Sequence, residues 1–390
     1  MGGIKEYDSA KNILYIKISG SDDPLVHQAN RLGCLLIFLN VAIFLSTRGL
    51  AKSPMHCWCP AQFPGSQVRY INDYCWVKNT YVVDFNESLS TASSTKEIRT
   101  IQYYQWLPLI FAFQALFFYV PRMFWLAFSG YSSLNIKKLL QMTDNITFSY
   151  GNDRNDKVKV TVQYLQKYLK IRNRLNIQNK TWEGPRELLA TYGFHKGNFL
   201  VFIFLMTALL YVISTIVQFF MVDVLLGIDF KTLGVDVLSR VYNDITIFDH
   251  RRFPIVTFCD FDIRQMTNLQ RWTVQCSLPI NLYSDMIFII DWFILVFMAI
   301  LNFIYFIYHL VSTILPYRAE MYIRKFMEMD GDRVSKYQKI PEHDLEKQRD
   351  FIHCYLRRDG VFLIWLMSNK VNQVLAGEIV NSLWKNYQSE

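Results

Sequence analysis

The run from Asn198 to Val222, NFLVFIFLMTALLYVISTIVQFFMV, contains no Asp, Glu, Lys or Arg. About 20 residues of helix cross the hydrocarbon core of a bilayer, so this run is long enough to do so. Three further blocks read the same way. They are Leu32–Thr47, continuing past Arg48 to Ala51, then Thr100–Pro121, and Met286–Pro316, which Asp291 and His309 interrupt. Helices are expected because an isolated strand in lipid leaves its backbone groups unpaired. The fold class is therefore mainly α, with four transmembrane helices.

Composition agrees. Of 390 residues, 52% are apolar and only 19% are charged, below the usual quarter of a soluble domain. A disordered chain, a collagen-like chain and a DNA-binding tail protein are excluded. The first 31 residues carry Lys5, Lys11, Lys17 and Arg31 and lack the apolar core of a cleavable leader. Four spans with nothing removed put both termini on one side.

Charge assigns the side. Segments 1–31, 130–196 and 312–390 carry 28 Lys and Arg against 20 acids, whereas loops 52–99 and 223–285 carry 11 against 12. Excess Lys and Arg mark the cytoplasmic side. The expected order is a cytoplasmic segment 1–31, a first span 32–51, an outer loop 52–99 and a second span 100–129. A cytoplasmic loop 130–196, a third span 197–222, an outer loop 223–285, a fourth span 286–311 and a helical cytoplasmic tail 312–390 follow. The basic balance reads as orientation and contact with anionic lipid, with no nucleic acid as partner.

Five of the seven cysteines, Cys57, Cys59, Cys75, Cys259 and Cys276, fall in the two outer loops; Cys34 and Cys354 do not. The outside is oxidising, so disulfides are expected there. Any four cysteines allow three connectivities, and the spacing fits no standard zinc pattern. No metal and no cofactor are expected.

Several motifs resemble those of one family. Tyr103-Tyr104-Gln105-Trp106, followed by Leu107-Pro108, is similar to the signature of the innexins, the invertebrate gap-junction proteins. Cys57-Trp58-Cys59-Pro60-Ala61-Gln62-Phe63 and Tyr74-Cys75-Trp76-Val77 resemble first-loop elements. Cys259-Asp260-Phe261 and Thr273-Val274-Gln275-Cys276 resemble second-loop ones. Leu356 with Asp359-Gly360-Val361-Phe362 matches a cytoplasmic element of the family.

The resemblance implies a ring of subunits around a wide pore, docked end to end with a ring on the next cell. An octamer is favoured, homomeric or mixed with other innexins, at gap junctions of the plasma membrane. It implies disulfides Cys57–Cys276 and Cys75–Cys259, which link the outer loops and accompany some short β structure. It also implies that the N-terminal segment, with Met1, Asp8, Asn12, Asp22 and Asp23, narrows the pore. Cys59 departs from the family pattern.

The remaining expectations rest on the residues alone. Arg48 near the outer end of the first span and Asp291 in the fourth are expected to pair. Pro108 is expected to kink the second span. Asn86 in Asn86-Glu87-Ser88 is the one glycosylation sequon placed outside by this topology; the sequons at Asn145 and Asn179 are inside. No Walker loop, HExxH or nucleophile elbow occurs, so the chain is not read as an enzyme. A passive channel is the leading function. A non-junctional hemichannel and a four-span adhesion or scaffold protein are the alternatives.

Overall fold

A computed structural model describes residues 24–51, 54–78, 80–83, 99–132, 134–147, 149–178, 197–245, 252–328 and 342–389. Among these, four helices are long and apolar enough to cross a membrane. The first, α1, runs from Leu25–Gln28 through a π-helical stretch, Ala29–Cys34, into Leu35–Ala51. The others are α3 (Leu107–Ser129), α6 (Phe199–Leu226) and α8 (Ile280–Ile314). Side chains such as Leu36 and Ile43 on α1 and Phe297 and Ile304 on α8 stay exposed, the surface a lipid-facing helix presents.

The helices begin and end elsewhere than the hydropathy blocks. α1 starts at Leu25, α8 starts at Ile280, and Arg99–Ile101 is a strand (β3) that precedes α3. Pro108 lies in the first turn of α3, where its missing N–H has no partner to lose, so it does not kink the helix. Pro121 is the interior proline. It cannot donate to the Phe117 carbonyl one turn back. The Ser214 hydroxyl of α6 donates to that carbonyl at 3.0 Å.

The chain divides into two compact units. One comprises residues 30–120 and 212–301. It holds β1 (His56–Trp58), α2 (Gly65–Lys78), β2 (Thr80–Val82), β3, α7 (Phe230–Tyr242), β4 (Val256–Gln265) and β5 (Asn268–Ser277). The strands form one antiparallel sheet in the order β1-β5-β4-β2-β3, so both loops contribute to the same sheet. β4 and β5 pair over ten residues each and are longer than the short strands expected. The core combines loop residues, such as Ile71, Ile101, Phe253 and Phe261, with helix residues Phe38, Phe111 and Phe288.

The other unit comprises residues 1–29, 121–211 and 302–390. Its helices are α4 (Ile136–Thr147), α5 (Gly151–Gln178), α9 (Pro316–Glu328), α10 (Glu342–Asp350), α11 (Arg357–Lys370) and α12 (Gln373–Gln388). Leu139, Leu165, Leu169, Leu363 and Ile379 meet in its core. His27 is buried there against the rings of Phe204, Tyr211 and Tyr305. Asp153 and Lys157 form an i,i+4 ion pair on α5 at 2.6 Å.

One glycine is required by close approach. A Cβ on Gly234 of α7 would stand 2.1 Å from the indole of Trp292, itself buried and donating its Nε1–H to the Lys231 carbonyl at 3.2 Å. Gly234→Ala is therefore expected to destabilise the fold by about 1–3 kcal/mol, the usual cost of overpacking. A lowered thermal-unfolding midpoint of the purified protein would show it; an unchanged midpoint would refute it.

Candidate functional site

The two loops are joined where their strands meet. Cys57 on β1 lies directly opposite Cys276 on β5, and the two form a disulfide with Cα atoms 3.9 Å apart. Cys75 on α2 bonds Cys259 on β4 across 5.9 Å. The sulfurs of Cys57, Cys75 and Cys276 lie within 4.8 Å of one another, but all three are engaged in disulfides and offer no thiolate to a metal. The Asn72 side chain accepts from the Cys57 N–H at 2.9 Å and ties β1 to α2. Cys59 keeps a free thiol, and burial pushes it above its ordinary pKa.

The Tyr103–Trp106 stretch fastens the start of α3 to the end of α2. The Tyr104 hydroxyl donates to the Trp76 carbonyl at 2.9 Å, and the Gln105 amide donates to the same oxygen. That carbonyl is among the last of α2, which have no partner within the helix. Tyr104 also packs on the Trp76 ring, with centroids 4.5 Å apart, and burial pushes its hydroxyl up to about 12. Tyr103 meets Phe253 edge to face. Trp106 remains 58% exposed, and its side chain is free to lie at a membrane interface.

Asp260, next to Cys259, gathers three strands. Its carboxylate accepts from Thr273 at 2.7 Å, Tyr81 at 2.8 Å and Arg271 at 3.2 Å, while Lys78 reaches its backbone carbonyl. Partial burial pulls the carboxyl upward, but the hydrogen bonds outweigh it and hold Asp260 below the ordinary carboxylate range. Tyr81 is raised by burial and by this bond.

The Asp359-Gly360 element does different work. Arg357, with a left-handed φ of 55°, sets α11 off from the π-helical stretch before it. The Asp359 carboxylate then accepts from the Phe199 and Val201 N–H groups at 3.1 and 3.2 Å. Those N–H groups lie in the first turn of α6, so a side chain of the tail caps a membrane helix. Phe362 lies 4.9 Å from the Phe204 ring in the same helix.

Arg48 and Asp291 do not pair. Arg48 lies over the rings of Phe44 and Tyr283, at 5.4 and 5.3 Å. Tyr283 is eight residues from Asp291 on α8, about 12 Å along the axis, so the two charges stand at different depths. Asp291 is buried and accepts from the Gln114 amide of α3 at 3.1 Å. Gln114 was legible only as a lone amide in an apolar run. Met1, Asp8, Asn12, Asp22, Asp23 and Asn86 lie outside the described residues.

Comparison with known proteins adds a family. The sequence model of the innexins matches residues 23–387. Innexin unc-9 of Caenorhabditis elegans is 28% identical over 94% of this chain and 92% of its own length. Innexin eat-5 of the same organism is 27% identical over 94% and 87%. Innexin-16, also from Caenorhabditis elegans, is 25% identical over 98% and 94%.

Two outcomes follow from these contacts. Gln114→Leu strands a buried carboxyl and is expected to cost roughly 1–3 kcal/mol, whereas Gln114→Leu with Asp291→Leu recovers most of it. Unfolding midpoints in detergent would separate the two; a double variant as unstable as the single one would refute the pairing. Asp260 has a depressed pKa in the folded state, so its contribution is present above the unfolded carboxylate pKa and lost as pH falls through the folded one. Asp260→Asn should therefore lower the midpoint at pH 7 by the equivalent of about 1–2 kcal/mol. The gap to wild type should narrow below about pH 4. A gap independent of pH would contradict this account.

Proposed function

The chain belongs to the innexin family, and on that premise we propose that it is a gap-junction channel subunit passing ions and small metabolites without chemistry. The observation that carries the reading is the sheet built from both loops and fastened by two disulfides beside a set of membrane-spanning helices. A rigid outer platform on a helical bundle is what a docking ring needs.

Subunits assemble as a ring, an octamer by family resemblance, homomeric or with other innexins. The ring docks with an apposed hemichannel at the plasma membrane. Both termini are cytoplasmic by the charge distribution. A glycan on Asn86 fits this orientation, and one on Asn145 or Asn179 reverses it. The N-terminal segment that carries Met1, Asp8 and Asn12 narrows the cytoplasmic mouth, where Asp22 and Asp23 favour cations.

The tip of the β4–β5 hairpin supports docking. Met266 there is 98% exposed and holds a left-handed φ of 53°, a conformation that costs a side chain roughly 1–2 kcal/mol. Leu269 beside it is 62% exposed. Neither residue gains burial within its own subunit. A partner ring supplies what the isolated chain does not.

Paired cells each expressing only this chain are expected to develop junctional current, with reversal potentials under an ionic gradient that favour cations. Met266→Gly relaxes the turn and removes the apolar tip. It should leave surface delivery and single-cell current intact while reducing junctional conductance about tenfold, the effect of losing a docking contact worth about 1.4 kcal/mol. Single-cell current alone in wild type would favour the hemichannel. Neither current, with protein at the surface, would favour an obligate mixed ring or the adhesion reading.

A further inference from the structure

Helix α7 (Phe230–Tyr242) is too short to cross a bilayer, yet it is apolar over much of its circumference. At 3.6 residues per turn its side chains sort into separate sectors. Phe230, Leu233, Gly234 and Val237 are buried. Thr232, Asp236, Ser239 and Arg240 form a polar sector, where the Arg252 guanidinium donates to Thr232 and Asp236. Val235, Leu238, Val241 and Tyr242 fill the remaining sector, and each is exposed, Tyr242 at 89%. A surface helix of a globular protein carries one apolar stripe and turns it to the core. α7 carries a second one, which no described residue of the chain covers.

Contacts with α6 and α8 fix the depth of α7. A Cβ on Gly234 would meet the Trp292 indole, whose Nε1–H donates to the Lys231 carbonyl. The Phe230 ring lies near both Phe219 of α6 and Phe288 of α8, with centroids 5.4 and 6.2 Å away. The apolar run of α8 starts at Met286, after Asp285. Trp292 is six residues into that run, about 9 Å. Leu238 is four residues from Gly234, about 6 Å along α7, and Val235 is adjacent to Gly234. Both therefore stay within the apolar run whatever the tilt of α7. An interfacial helix buries its apolar face about 5–10 Å into the boundary of headgroups and acyl chains, which is the same depth.

The neighbouring surface identifies the occupant. Phe220, Val224 and Leu225 on α6 and Ile290 and Phe297 on α8 are exposed side chains of membrane-spanning helices. The Lys231 ammonium lies 5.4 Å from the centroid of the Phe220 ring, so the exposed apolar sector of α7 continues the lipid-facing surface of α6. Lys231 is the charge in that sector, and Asp223 meets it at 2.9 Å. A charge that lipid approaches has to be paired or reach water.

We propose that α7 is a membrane-embedded interfacial helix in the leaflet at the loop ends of α6 and α8. Val235 and Leu238 lie among acyl chains, and Val241 and Tyr242 lie nearer the headgroups, where a tyrosine is at home. The partner of this surface is lipid. The inference rests on the membrane-spanning helices and does not depend on docking or channel activity.

The test uses the full-length protein in phosphatidylcholine nanodiscs, with Cys34→Ala, Cys59→Ser and Cys354→Ser to remove the other free thiols. Val235→Cys, Leu238→Cys, Ser239→Cys and Ile290→Cys are made singly in that background and labelled with bimane. Doxyl-labelled phosphatidylcholine quenches from the lipid and iodide quenches from the water. Doxyl quenching is expected to be about threefold or more stronger at Val235 and Leu238 than at Ser239, with iodide giving the reverse order. Ile290 reports the span itself, so doxyl quenching there with none at Val235 or Leu238 overturns the proposal and leaves the span in place. Iodide that reaches Leu238 as readily as Ser239 overturns it too. So does protection of Val235 and Leu238 from both quenchers, which would put a second copy of the chain on this face. Two labelled positions keep the test decisive if one variant misfolds, and a wild-type unfolding midpoint identifies the folded ones.

Discussion

Everything in the loop unit depends on two covalent links between segments far apart in sequence. Cys57–Cys276 spans 219 residues and Cys75–Cys259 spans 184. Closing either loop alone in a free chain removes unfolded-state entropy worth about 5 kcal/mol. Here the gain is smaller, because membrane helices already restrict where each loop can go. The links matter more for register. Pairing Cys57 with Cys276 fixes β1 on β5, and a slip of one residue would turn every side chain of β1 to the opposite face.

The rest of that unit is arranged around those links through polar contacts that satisfy buried backbone. Tyr104 and Gln105 take the Trp76 carbonyl one residue after Cys75, and Asp260 gathers hydroxyl and guanidinium donors one residue after Cys259. Both partners of the Cys75–Cys259 disulfide thus have a neighbour whose hydrogen bonds hold them in place. The other unit repeats the device without cysteines. There Asp359 supplies acceptors to the open end of α6. In both cases a motif that reads as a family signature is, physically, a set of caps for helix ends.

Much of this was legible in the sequence, and the limits have physical causes. Four apolar blocks announced four helices because lipid leaves the backbone no other choice. The helices run past the apolar blocks because hydropathy reports the lipid-facing stretch. α8 begins at Ile280, where Asn281 and Ser284 are polar but buried in protein, and α1 begins before Arg31. The fifteen-residue gap between Trp58 and Tyr74 gave no apolar stripe to mark α2, whose buried residues are only Ile71 and Cys75. The disulfide pairing came from resemblance to a family and was beyond spacing alone. The Arg48–Asp291 pairing is not formed because Arg48 lies beside Tyr283, about 12 Å along α8 from Asp291.

The absence of that pair says something general about charge in this bundle. An arginine near a membrane surface has aromatic faces and water within reach, so Arg48 settles on Phe44 and Tyr283 without a carboxylate. A carboxyl in the helix interior has no such freedom and must take whatever donor shares its level. Gln114 is the side chain that does so. The same logic governs Pro121, whose orphaned Phe117 carbonyl is met by Ser214. In a bundle held in lipid, each polar group that the sequence inserts dictates a partner at its own depth. Those partners, more than the apolar residues around them, fix which helix lies beside which.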